Sequence, residues 1–119
     1  MPGRDALYVR HILDACAQIG AYVAQGDKAR LQSDPMFRDA IIRQLQIIGE
    51  AARLLSDEFR AQAAGVPWAD VINMRHWLVH GYAAINLDIV WDTACRDVPQ
   101  VASYLPGFLL EPPQGQPPP

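Results

Sequence analysis

The sequence predicts an all-α fold, an up-down four-helix bundle. Apolar residues recur at helical spacing in four long runs, cap and turn residues separate those runs, and no stretch shows the two-residue alternation of a half-buried strand. Half of the 119 residues are hydrophobic, which fills one core of ordinary size and leaves little for a second, so one domain over residues 1–110 is expected.

Leu7, Tyr8, Ile12, Ala15, Ile19, Tyr22 and Val23 share one side of a first helix from about Asp5 to Gln25, with Gly26 and Asp27 as its stop. Ser33-Asp34-Pro35 supplies a cap and a first-turn proline for a second helix that runs to about Leu55. On a 100° wheel its Asp39, Arg43, Gln46, Glu50 and Arg53 form one polar sector, and apolar residues take about half the circumference. One neighbour cannot cover so much, so this helix is expected to meet both its own bundle and a second protomer. Ser56-Asp57-Glu58 caps a short turn to about Ala63, and Gly65-Val66-Pro67 interrupts the chain before a third main helix from Trp68 to His80. Gly81 fits a C-terminal stop, and Asn86 opens a fourth helix from Leu87 to about Tyr104. Within it Pro99 removes a backbone donor and should kink or divide the helix near Asp97. Residues 111–119, EPPQGQPPP, have nothing to bury and read as a disordered tail.

Ten basic against thirteen acidic residues give a net charge of −3, which argues against coating nucleic acid through bulk positive potential and leaves room for a local site. Every basic residue but Lys28 is arginine, whose planar fork suits bidentate phosphate contacts. No apolar run approaches the roughly 18 residues of a membrane span, and the start MPGRDALYVRH lacks the apolar core of a signal peptide, so a cytoplasmic protein is expected. Cys16 and Cys95 fall in apolar periodic segments without a second Cys or His at metal-like spacing, and both are expected as buried, reduced thiols.

The chemistry concentrates in Asn73-Met74-Arg75-His76-Trp77-Leu78-Val79-His80-Gly81-Tyr82. Arg75 falls near the centre of the apolar face made by Trp68, Val71, Ile72, Leu78 and Val79. A charge there needs either a carboxylate partner, Glu50 or an aspartate, or an anionic ligand. His76 and His80 reproduce the H-x3-H spacing of some zinc sites. A catalytic zinc normally has three protein ligands and His11 is the only other histidine, so no metal is expected. His80 lies near the helix C-terminus, where the macrodipole favours an imidazolium, as suits a general acid or base. One imidazole can take the proton of a ribose 2′-OH while an arginine neutralises the crowded transition state. Five residues put Arg75 and His80 roughly 140° apart on an ideal helix, so either the helix distorts or two protomers share the site.

The run Arg75-x4-His80-x-Tyr82 resembles the R-x4-6-H signature of HEPN ribonucleases, and its trailing tyrosine resembles the HepT subgroup of toxins. His76 fills the polar place that often follows the arginine. The resemblance extends over residues 5 to 105, through Ala40-Ile41-Ile42-Arg43-Gln44-Leu45, Ile47-Ile48-Gly49-Glu50-Ala51, Val66-Pro67-Trp68 and Val90-Trp91-Asp92. It implies a homodimeric toxin endoribonuclease with its cleft at the dimer interface, cutting RNA without a metal or cofactor through Arg75 and His80, with His76 and Glu50 in support. It also implies a minimal nucleotidyltransferase (MNT) antitoxin as partner, able to transfer AMP from ATP onto Tyr82. The alternative is a non-catalytic helical interaction module that binds a nucleotidyltransferase. Such a scaffold would pair Arg75 with an internal carboxylate, whereas an enzyme would leave it open beside His80. A nucleotide-binding accessory domain, a third reading, lacks any phosphate loop in the sequence.

Overall fold

A computed structural model describes residues 3–81 and 84–109, and they contain helices and connections with no strand among them. Helix α1, Gly3–Val23, buries one stripe made by Asp5, Val9, Ile12, Ala15, Cys16 and Ile19. Its expected stop at Gly26 and Asp27 needs a correction, because Asp27 also starts a helix. Its carboxylate accepts from the Arg30 N–H at 2.8 Å and caps α2, Lys28–Ser33. Those six residues bury only Leu31, too little apolar periodicity to register along a sequence.

Asp34 then caps α3, Pro35–Leu54, accepting from the Met36 and Phe37 N–H groups at 3.0 and 3.3 Å, with Pro35 in the first turn where its missing donor costs nothing. Ser56 opens the short α4, Asp57–Gln62, by accepting from the Phe59 N–H at 3.0 Å. The same hydroxyl donates to Asp5 at 2.7 Å, and the Ser56 N–H donates to the other Asp5 oxygen at 2.8 Å. Asp5 is 2% exposed; these two bonds satisfy both its oxygens and tie the start of α1 to the end of α3, setting the two helices antiparallel.

Helix α5, Trp68–His80, begins where the Trp68 indole donates to the Ala63 carbonyl at 2.9 Å. The last rod consists of α6, Leu87–Asp92, a π-helical turn at Thr93–Asp97, and α7, Val98–Tyr104, followed by the single turn α8, Pro106–Leu109. The wide turn is where Pro99 demands an interruption. Proline has no N–H for the Cys95 carbonyl four residues back, and a turn in which the Val98 N–H reaches the Thr93 carbonyl sidesteps that ordinary bond.

Helix α3 lies between α1 and α5, and the last rod packs on α1. Ile12, Ile19, Ile41, Leu45, Leu78 and Leu105 form the fully buried centre. Two helices of the same chain, α1 and α5, cover much of the broad apolar sector of α3, while Ile42 and Ile47 stay partly exposed. The wheel measures circumference and cannot count neighbours. Between α5 and the last rod runs a groove of about 550 Å³ lined by Val71, Met74, Trp77, Ile89, Val101 and Tyr104.

The thiols divide. Cys16 is buried, and burial pushes it up to about 11. Cys95 is exposed, contrary to expectation, because the buried stripe runs through Ala94 and the next residue turns outward. Among the described residues no helix is long and apolar enough to cross a membrane. The tail expected to be disordered, 111–119, lies outside the described residues.

Candidate active site

The site begins at a helix crossing. A β-carbon at Gly49 would overlap the Arg75 β-carbon and come within 3.1 Å of the Val71 carbonyl. The missing side chain therefore lets α5 approach α3 closely enough to bring Arg75 beside Glu50. Arg75 Nε lies 3.3 Å from Glu50 Oε2, in a pair whose side chains are 34% and 38% exposed. Glu50 is shared, since Arg53 donates to its two oxygens at 2.7 and 3.3 Å. The Arg53 hydrogen bond, with the charges of Arg53 and Arg75 behind it, holds the Glu50 carboxyl below its usual range, and Glu50 in turn pushes the Arg53 guanidinium up.

The contact runs to Arg75 Nε, and among the described residues Glu50 is the only carboxylate that pairs with this arginine. The side chain borders a cleft of about 200 Å³ whose walls include Tyr8 and His11 from α1 and Arg43, Gln46 and Glu50 from α3. Such a cleft offers donors to a phosphate while the carboxylate behind holds the arginine in place.

His76 and His80 are both exposed, with ring centroids 4.7 Å apart. They stand on the flank of α5 next to the cleft, where Val79, and not His80, closes the wall. The helix is regular to its end, with the Gly81 N–H on the Trp77 carbonyl at 2.8 Å, so no distortion brings His80 round to Arg75. Within one chain the structure joins Arg75 to Glu50 and His76 to His80 as two adjacent pairs. Tyr82 lies outside the described residues. Among those residues no three His, Cys, Asp or Glu side chains converge as a metal site.

The feature meant to separate an enzyme from a scaffold gives a divided answer. Arg75 has a carboxylate partner, as a scaffold requires, yet the pair is a third exposed and faces a cleft, as an enzyme requires. Tyr8, His11 and Arg43 were not singled out from the sequence as one group. Arg43 shares a wheel sector with Glu50, but only the packing of α1 on α3 shows what stands opposite.

Comparison with known proteins bears on the choice. A family model described as HepT-like, ribonuclease HepT-like, matches residues 12–106. The chain is 35% identical over 102 residues to a provisionally named RNase of Caldanaerobacter subterraneus subsp. tengcongensis, covering 86% of this chain and 91% of the other. It is 31% identical over 102 residues to a provisionally named RNase of Methanocaldococcus jannaschii, covering 85% and 94%. To a provisionally named ribonuclease HepT of Thermococcus cleftensis it is 28% identical over 94 residues, covering 79% and 86%. No solved structure matches the chain significantly.

Proposed function

The chain belongs to the HepT-like ribonucleases of the HEPN superfamily, and from that premise we propose that it is a cytoplasmic toxin endoribonuclease that cuts RNA without a metal through Arg75 and His80. The observation that carries this reading is Arg75, a third exposed, held from behind by Glu50 and bordering a cleft, with the His76–His80 pair on the adjoining flank. One imidazole of the pair removes the 2′-OH proton, O2′ attacks the adjacent phosphorus, and the P–O5′ bond breaks. The other imidazole, protonated, supplies a proton to the departing O5′, so a 2′,3′-cyclic phosphate and a 5′-OH result. Arg75 neutralises the charge that gathers on the phosphoryl oxygens.

A regular α5 keeps Arg75 and His80 of one chain on different sides. A homodimer that sets two copies of α5 against each other would bring the histidine pair of one to the arginine of the other. Neutralisation falls to an MNT-type nucleotidyltransferase antitoxin, by covering the site or by AMP transfer. In the transfer, the Tyr82 phenol oxygen attacks the α-phosphorus of ATP, a phosphodiester forms and pyrophosphate leaves. The added negative charge, two residues beyond His80, then competes for Arg75 and repels RNA.

The test is cleavage of total RNA in EDTA by the purified protein beside Arg75→Ala and His80→Ala. Each variant should lose at least roughly a hundredfold, and folded variants that cut normally would remove the assignment. Light scattering should give a dimer mass at micromolar concentration. Peptide mass spectrometry after incubation with ATP, magnesium and the antitoxin should find AMP on Tyr82. The Arg75–Glu50 pair favours a second reading, the interaction module; wild-type protein that binds the nucleotidyltransferase but never cuts RNA would establish it.

A further inference from the structure

The cleft that holds Arg75 does not end at His11. A second hollow of about 190 Å³ continues between α1 and α3, sharing His11 and Ile47 with the first and walled by Asp14, Gln18 and Gln44. Together they make one groove, roughly 15 Å long from Tyr8 to Gln18 at the helical rise per residue. Its furnishings differ along its length. The first hollow is lined by two arginines, Arg43 and Arg75, and by one carboxylate, Glu50, which Arg53 already claims. Arg43 is exposed and has no ion-pair or hydrogen-bond partner among the described residues. The same hollow holds two rings, Tyr8 and His11, set edge to face with centroids 5.7 Å apart, and His11 also borders the second hollow. Beyond them the amides of Gln18 and Gln44 offer both donors and acceptors, and Asp14 disfavours a phosphate at that end.

We propose that this α1–α3 groove is the RNA-binding subsite beside the cut: Arg43 joins Arg75 on a backbone phosphate, and the flanking base stacks on Tyr8 and His11. The inference rests on the ribonuclease reading and names where its substrate lies. Arginine beside aromatic rings is the pairing that single-stranded RNA requires, one group for the phosphate and a flat face for the base. A cleft of about 200 Å³ is smaller than the sites that enclose whole small ligands, roughly 300–1,000 Å³, and suits one nucleotide of a passing strand. Stacking reads no particular base, so the subsite sets affinity and the direction of the strand more than sequence preference. It also gives a weakly acidic protein a local cationic grip without bulk positive charge.

The experiment measures fluorescence anisotropy of a short 2′-O-methyl single-stranded RNA, which cannot be cut because the attacking hydroxyl is blocked. Tyr8→Ala, His11→Ala and Arg43→Gln should each weaken binding roughly tenfold. Arg43→Gln should in addition lower the slope of log affinity against log salt by about one. Arg96→Gln, an exposed arginine in the π turn outside the groove, should change affinity less than twofold. Tyr8 is half-buried and its loss could disturb folding, but His11 and Arg43 are exposed, so these two variants decide. If both are folded and bind as the wild type does, or if Arg96→Gln weakens binding as much as Arg43→Gln, the subsite is wrong. That result would leave cleavage through Arg75 and His80 standing. Weakened binding in the groove variants of a protein that never cuts RNA would instead support the groove and remove the ribonuclease reading.

Discussion

Gly49 and Arg75 meet at the α3–α5 crossing with no room for a methyl group between them. The residue after the glycine, Glu50, is the one that pairs with the arginine. Two neighbouring positions on α3 therefore do complementary jobs, one setting the distance between helices and the other using it.

Gly49→Ala should push the helices apart. Overpacking of this kind costs about 1–3 kcal/mol, and urea denaturation should show it. In protein that remains folded, RNA cleavage should also fall, because Arg75 retreats from its partner. Unchanged stability and activity together would mean that the Gly49–Arg75 contact does not set the spacing of α3 and α5.

Glu50→Gln should split the kinetic constants. Removing a negative charge from the cleft strengthens RNA binding and lowers KM, while an arginine no longer held from behind should lower kcat by roughly tenfold. Steady-state cleavage of a labelled RNA separates the two. A kcat equal to that of the wild type would show that Glu50 does not position Arg75.

Acid should act on this pair with a definite sign. The folded-state value of Glu50 is depressed, first by the Arg53 hydrogen bond. Its contribution to stability is therefore present above the ordinary glutamate range, near 4.3, and is lost as pH falls through the lowered folded value. An NMR titration of the Glu50 carboxyl carbon should have its midpoint below that range, and Arg53→Gln should move the midpoint up. A midpoint indifferent to Arg53 would contradict the assignment.

Asp5→Ala should be among the more damaging changes in α1. It leaves the N–H and hydroxyl of half-buried Ser56 without their acceptor, at a cost of roughly 1–3 kcal/mol. Chemical denaturation of Asp5→Ala beside an exposed substitution such as Met36→Ala provides the comparison. Equal stabilities would show that the bond pair contributes nothing net.

Alkylation at pH 8 should modify Cys95 and spare Cys16, giving one adduct by mass. The folded value of Cys16, about 11, lies above its ordinary 9.0, so its contribution to stability is full below pH 9 and is lost as pH rises through 11. Rapid labelling of both thiols in folded protein would overturn the burial.

Much of this molecule is legible from local chemistry. Asp34-Pro35 and Asn86 announce helix starts, Pro99 announces the interruption beside it, and Arg75 on an apolar face announces a partner or a ligand. What could not be read depends on relations between helices. The short α2 has one buried side chain and so no periodicity. The width of the α3 apolar face could not reveal that α1 and α5 both cover it. Tyr8 and His11 share a cleft with Arg43 through the packing of α1 on α3, whose register the bonds between Asp5 and Ser56, 51 residues apart in sequence, help to fix. The same limit applies to Arg75 and His80, whose spacing shows that they diverge but not what lies across from each.

The π turn also determines where the last rod tolerates a change of length. Buried Val98 and Leu105 are seven residues apart, which keeps them nearly in line on an α-helix, but buried Val90 and Val98 are eight apart. On a straight helix the surplus residue would swing Val90 about 80° out of line; the wide turn absorbs it. Deleting one of the exposed residues 95–97 would thus leave the inward-facing side chains aimed as before. The shortened rod would then be continuous α-helix at Pro99, where the ring has neither the donor nor the space that such a helix requires. Deleting a residue from the wide turn is therefore tolerable only when Pro99 is replaced as well, whereas replacing Pro99 alone leaves the turn free to stay as it is.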